Sequence, residues 1–349
     1  MTGGQFAQTA PGQMPLGERV SRTMLAIGLL PILLVLIVAI VSLVEPRFTG
    51  LFNILNILRQ TSFLAIVACG QMLVLIVGGF DLSVGALVAL TSTVMAKSMQ
   101  LLSAALPEEV WLVILLGVLA GLACGLVIGL INGLCVAFLR ISPFMVTLGT
   151  LWIATGVGLL LTNGIPVYGM PDAFVKDFGR ALWFPGLFSE RGLPATFYVA
   201  VAIVALVWVV QRKTLLGRYI YAIGGNQQAA MVSGVSTGFV IVLTYVLCSL
   251  LASTSGILAT ARLGSGQATM GGDLLMLQSI AAAVIGGVSL RGGVGRVEMV
   301  ALSALFLSIL TNAMNLLKID SKMQVVVLGV VLVAAVALDE LGKRRQQRD

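Results

Sequence analysis

Few residue types in this sequence could perform covalent or redox chemistry. It contains no histidine, which excludes a His-ligated metal and a His general base. Cys69, Cys124, Cys135 and Cys248 stand singly inside apolar runs with no C-x-x-C pair, the pattern of small packing residues. No G-x-x-x-x-G-K-[ST] phosphate loop occurs, and the Gly342-Lys343 pair leads into a basic stretch. The sharpest polar feature is Asp81, within Gly78-Gly79-Phe80-Asp81-Leu82-Ser83-Val84-Gly85. A charge near a bilayer centre costs about 2.5–3.5 kcal/mol on insertion scales, so it needs a reason to be there. Either the glycines break a helix that lines a cavity, where water or protein satisfies the freed backbone, or Asp81 or Ser83 caps the start of the next span. A cap inside a pore does both. Further hydrogen-bonding groups lie within or at the ends of the apolar runs: Asn132, Thr147, Thr150, Thr155, Asn163, Asn312 and Asn315. Amides and hydroxyls complement an uncharged, hydroxylated solute. Asp81, Ser83, Asn132, Thr147, Asn163 and Asn312 are therefore the candidate translocation path. Each could instead be a helix-to-helix bond, worth about 0.6 kcal/mol on average in membrane proteins. No chain of intramembrane acids of the proton-relay kind accompanies Asp81.

The elements that must position these groups are hydrophobic helices. Of 349 residues, 58% are hydrophobic and 10% charged, with a mean hydropathy of +1.06. A soluble domain carries about a quarter charged residues, so there is too little polar side chain to coat a globule of this size. The fold class expected is an all-α polytopic membrane protein of about ten transmembrane helices, since ten spans of roughly 20 residues fit the length. The apolar runs fall near 24–44, 53–78, 82–99, 110–138, 143–161, 196–210, 239–261, 274–287, 294–317 and 323–338. Residues 1–21, rich in Gly, Gln, Thr and Pro, read as a mobile cytoplasmic tail, 22–341 as the transmembrane domain and 342–349 as a basic cytoplasmic tail. The net charge of +7 sits between spans and at the end, where it sets orientation rather than binding nucleic acid. With both termini cytoplasmic, the clusters Arg212-Lys213-Arg218 and Lys343-Arg344-Arg345-Arg348 both fall inside.

Two internal patterns stand out. Gly78-Gly79-Phe80-Asp81-Leu82 opens the third span, and Gly271-Gly272-Asp273-Leu274 opens the eighth. Asn132-Gly133 precedes Leu148-Gly149 much as Asn312-Ala313 precedes Leu328-Gly329. An offset of five spans would relate spans 2–5 and 7–10 as an inverted repeat. Separately, Gly117, Gly121, Gly125, Gly129 and Gly133 form a stripe on one helix face, the small-x-x-x-small signature of close helix packing.

Between the sixth and seventh spans, residues 211–236 carry more pattern than a reversal of direction requires. Asn226 is placed to cap a short helix over 227–233, and Gly234 to end it in a left-handed conformation. Such a helix is either an interfacial connector or a rigid device for transmitting force from a cytoplasmic motor.

Taken in order, the segments 78–85, 130–150, 217–234 and Ile285-Gly286-Gly287-Val288-Ser289-Leu290-Arg291-Gly292-Gly293 resemble the permease subunits of bacterial ribose-, xylose- and galactose-type ABC importers. The resemblance runs over roughly residues 22–341. It implies a translocation subunit in the inner membrane with no enzymatic activity and no bound cofactor. It further implies a second permease subunit, cytoplasmic ATPases that hold ATP and Mg²⁺, and a periplasmic or lipoprotein sugar-binding protein. The family's ATPase-coupling segment falls on Gly217, Arg218, Ala222, Gly224, Asn226, Ala229, Ala230 and Gly234. Where relatives often carry acidic residues after the Asn and a basic one after the paired alanines, this chain has Gln227, Gln228 and Met231. Phe80 replaces a usual Ile. The cargo expected is a pentose or hexose. The alternatives are nucleosides or branched-chain amino acids carried by the same architecture, an ion-coupled carrier or passive channel, and a purely structural membrane subunit.

Overall fold

The computed structural model describes residues 29–186 and 190–346; the tail expected over 1–21 lies outside them. Almost everything described is helical. The apolar helices, in chain order, are α1 (Leu29–Val44), α2 (Leu51–Ile76), α3 (Val84–Ala105), α4 (Val110–Ala137), α5 (Pro143–Thr162), α6 (Ala195–Lys213), α9 (Thr237–Leu263), α10 (Gly272–Ile285), α11 (Val297–Leu316) and α12 (Ser321–Gln346). Two short helices, α7 (Leu215–Gly225) and α8 (Gln227–Val232), join α6 to α9. Between α5 and α6 lie a helical turn and one two-stranded antiparallel pair, β1 (Leu182–Trp183) and β2 (Leu193–Pro194).

Seven of these helices, α2 to α6, α9 and α11, are long and apolar enough to span a bilayer, while α1, α10 and α12 have shorter apolar stretches. Each of the ten expected apolar runs thus contains a helix, positions 24–28 of the first lying outside the described residues. Within the basic stretch expected from 342 onward, α12 continues through Gln346. Lys and Arg are good helix formers, and nothing in Gly342-Lys343-Arg344-Arg345 compels a stop.

The bundle is layered. Helices α2, α3, α9 and α11 are largely buried, whereas α4, α5 and α6 turn most of their surface outward. That outer surface includes Trp111, Leu160, Trp152, Phe138 and Phe144, a belt that water would not tolerate and lipid solvates without cost. Helix α9 is the central strut and packs along α4, α2 and α3. The glycine stripe of α4 makes this possible. A Cβ on Gly133 would sit 2.7 Å from Val242 Cα, and one on Gly129 2.7 Å from Val246 Cα. Backbone-to-backbone approach of this kind replaces the hydrophobic effect as the packing force where the solvent is itself apolar.

Candidate coupling and translocation site

The α6–α9 connection is built by capping. Thr214 Oγ1 accepts from Gly217 N (3.2 Å) and starts α7. Asn226 both ends α7 and caps α8, its Oδ1 accepting from Ala229 N at 2.9 Å. Gly234 takes φ +85°, and the Gly234 and Val235 amides close the helix on Met231 O and Ala230 O. The expected Asn cap and Gly stop are both present, with the helix one residue shorter than 227–233. The two faces differ sharply. Gly217, Ile220, Ile223 and Ala230 are buried, whereas Arg218, Ala222, Asn226 and Ala229 are exposed. The paired alanines therefore part company: Ala230 joins the core and only Ala229 is free to meet a partner. Beside it, Met231 is 58% and Val232 86% exposed. Val232 was not singled out by the sequence; an apolar residue on a six-residue helix gives no periodic signal to read.

Three of the sequence motifs meet behind α8. Gly293 N donates to Ile76 O at the end of α2 (2.8 Å), and Gly224 is pressed against both: its Cβ would lie 1.7 Å from Ile76 O and 2.5 Å from Gly293 N. No side chain fits there. A second clasp lies at the end of α6. Gln211 donates to Tyr221 Oη (2.7 Å) and accepts from Val297 N (3.1 Å), and Tyr221 donates to Gly295 O. Thus α7, the ends of α6 and α2, the α10–α11 connection and the start of α11 are tied into one block.

From this block the chain enters the Gly78–Ser83 break. Gly78 has φ +91°, and Tyr245 Oη on α9 donates to Phe80 O (3.1 Å). Asp81 Oδ1 accepts from Ser83 N (2.9 Å) and Ser83 Oγ (2.5 Å), forming the turn that starts α3. Asn132 Nδ2 on α4 donates to Ser83 Oγ (3.0 Å), and Thr150 Oγ1 on α5 donates to Asn132 Oδ1 (2.8 Å). Asp81, Ser83, Asn132 and Thr147 are fully buried. Asp81 Oδ2 has no conventional hydrogen-bond partner and lies beside the Cys248 thiol. The capping reading and the broken-helix reading of Asp81 thus coexist.

The six residues of the expected path do not form one cluster. Asp81, Ser83 and Asn132 are bonded in sequence. Thr147 is one turn from Thr150, its hydroxyl bonded to Pro143 O (2.8 Å). Asn163 ends α5 in the left-handed region at φ +51° and is exposed. Asn312 sits elsewhere, exchanging amide bonds of 2.8 and 2.9 Å with Asn53 of α2. Around that pair, Arg47, Asn53, Asn56, Asn312 and Asn315 line a cavity of about 510 Å³. A second cavity, of about 550 Å³, is bounded by Gly78, Gly79, Arg140, Tyr245, Gln227, Gln228 and Met231. It places the substituted positions of α8 directly across from the glycine break. The two glycine-led echoes also meet: a Cβ on Gly85 would lie 2.1 Å from Gly272 O, so the N-termini of α3 and α10 converge inside the bundle.

Comparison with known proteins decides the family. The model of the branched-chain amino acid transport system / permease component family matches residues 53–336. The chain belongs to this permease family. It is 40% identical over 308 residues to the ribose import permease protein RbsC of Escherichia coli K12, covering 88% of this chain and 92% of that one. It is 36% identical to the galactose/methyl galactoside import permease protein MglC of Escherichia coli K12 over 92% and 95% of the two chains. Identity to the RbsC of Bacillus subtilis is 39% over 88% and 90%. No solved structure matches. The match covers every part of the permease in which the three motifs converge, and the protein is a multi-pass membrane permease rather than an enzyme.

Proposed function

We propose that this permease is the translocation subunit of an ATP-driven importer of a monosaccharide, a pentose or hexose. Identity of 36–40% across nearly the whole length to relatives named for ribose and galactose supports a sugar cargo. The family's description mentions branched-chain amino acids. A zwitterion would need fixed charges along its route, and the polar groups gathered at the Gly78–Ser83 break are mostly amides and hydroxyls.

The observation that carries the mechanism is the seat of Gly224 between Ile76 O and Gly293 N. An ATPase of separate chain docks on the exposed face of α8, at Ala229, Met231 and Val232, with Arg218, Ala222 and Asn226 alongside. Its closure moves α8. Because α7 has no side chain at Gly224 to slip on, the end of α2 and the α10–α11 connection follow. Displacement of Ile76 pulls the glycine break, and with it the Asp81–Ser83–Asn132–Thr150 chain that links α3, α4 and α5. This is a lever acting on a hinge, the usual repertoire of rigid-body gating. The sugar arrives from a binding protein at the face opposite α8, and ATP and Mg²⁺ reside on the ATPase. Both termini face the cytoplasm, on the α8 side, where Arg212, Lys213 and Arg218 cluster.

The test is uptake by cells lacking this permease and complemented with it, using labelled ribose, galactose, allose and leucine in parallel. Uptake of one of the sugars in preference to leucine is the expected result. Uptake of leucine alone would reassign the cargo.

A further inference from the structure

An apolar cavity opens between α2, α6 and α11, on a different side of the block from the Gly224 seat. It has a volume of about 580 Å³, and its walls include Ala65, Phe197, Ala205, Trp208, Ala301 and Leu305. On α6 the lining runs from Phe197 to Trp208, about 16 Å at 1.5 Å per residue. That is close to half of the roughly 30 Å hydrocarbon core, the depth of one leaflet. Each wall helix contributes a small residue to the lining, Ala65 on α2, Ala205 on α6 and Ala301 on α11.

One end is chemically distinct. Trp208 Nε1 donates to Glu298 Oε1 (2.9 Å), and Arg212 bonds the same oxygen (2.9 Å). Arg296 stands 3.9 Å from Glu298 Oε2, and Lys213 Nζ lies 5.9 Å from the centre of the Trp208 ring. Two guanidinium groups face one carboxylate and Lys213 stands over the adjacent Trp208 ring, leaving a surplus of two positive charges at one end of an apolar slot. Arg212 and Arg296 are 44% and 60% exposed, free to reach a further anion. Tryptophan beside Arg and Lys marks the headgroup level of a bilayer, and basic pockets between spanning helices recognise anionic headgroups.

We propose that this groove is a binding site for an anionic phospholipid, one acyl chain lying along α6 from Trp208 toward Phe197 and the phosphate held by Lys213, Arg296 and the free edge of Arg212. The site requires only that the chain be embedded in lipid. It is independent of which solute the permease carries and of which leaflet α8 faces.

Trp208 lines the groove and reports on it directly. With Trp111, Trp152 and Trp183 each replaced by Phe, the full-length chain reconstituted in nanodiscs carries a single indole. Quenching is then titrated with brominated-acyl phosphatidylglycerol and, separately, with phosphatidylcholine bearing the same chains. Phosphatidylglycerol is expected to quench with about thirtyfold higher apparent affinity, the effect of two surplus basic side chains near the membrane surface. The double variant Lys213→Gln/Arg296→Gln leaves the Arg212–Glu298 pair intact and should bring the two lipids level. Ala205→Phe, which fills the slot, should abolish site quenching by both. Equal quenching by the two lipids without any substitution overturns the proposal, as does a preference that survives the double variant. Absence of quenching by either lipid, with Trp208 becoming accessible only when a dimer of this chain dissociates, assigns the groove to a second copy instead.

Discussion

Asn226 carries two jobs on one side chain position: it ends α7 and its Oδ1 holds the first turn of α8. Replacing an Asn cap with Ala costs about 1 kcal/mol, while Asp keeps the acceptor. Asn226→Ala should therefore fray α8 and lower sugar-stimulated ATP hydrolysis in the assembled importer several-fold, whereas Asn226→Asp should leave it near normal. Equal loss in both variants would mean that the cap is irrelevant and the amide itself makes a contact. At Ser83 the argument is about satisfaction rather than capping. Its hydroxyl joins Asp81 Oδ1 to Asn132 Nδ2 inside the bundle, and orphaning buried partners costs about 1–3 kcal/mol. Ser83→Ala should lower the melting temperature of the purified chain by several degrees, and Ser83→Thr by less. Residues of this kind were legible in the sequence because a polar group amid apolar neighbours announces itself. Their partners were not, since Asn132 reaches Ser83 across 49 positions and no local pattern encodes such a pairing.

Helix-level organisation depends on where side chains are missing. The α4 glycines recur every fourth position, so a close-packed face could be read directly. That the partner is α9 could not, because a stripe specifies contact without naming its complement. Gly129→Leu should drive α4 and α9 apart, since even a Cβ there would come within 2.7 Å of Val246 Cα. Overpacking of this kind costs about 1–3 kcal/mol, so expression and thermal stability should both fall in a detergent melting assay. Gly149→Leu serves as the control, because a Cβ at Gly149 meets nothing within 4 Å. Gly224 is the corresponding test of force transmission. Gly224→Ala should leave the ten apolar helices folded but displace α7 from Ile76 and Gly293, so that ATP hydrolysis continues while uptake is lost. Retention of full uptake would remove this contact from the lever. The split of Ala229 from Ala230 illustrates the limit of sequence reading at this scale. A six-residue helix offers fewer than two turns, too few for a periodicity to say which alanine faces inward.

For the molecule as a whole, composition alone decided that the chain spans the membrane, because burial of 58% hydrophobic residues has no soluble solution at this length. The convergence of the 78–85, 217–234 and 285–293 segments was beyond the sequence, since each lies in a different inter-helix connection. Their meeting point is what a pore without its own nucleotide site needs: one exposed helix rigidly joined to an internal hinge. On the proposed mechanism this permease borrows its driving force through α8 from a separate ATPase. The most direct measurement is accumulation of labelled sugar by proteoliposomes containing the permease, its binding protein and its ATPase, with ATP supplied on the α8 side, against proteoliposomes containing the permease alone. Accumulation above the external concentration only in the complete, ATP-supplied assembly is the predicted result. Accumulation by the permease alone, without nucleotide, would contradict the account.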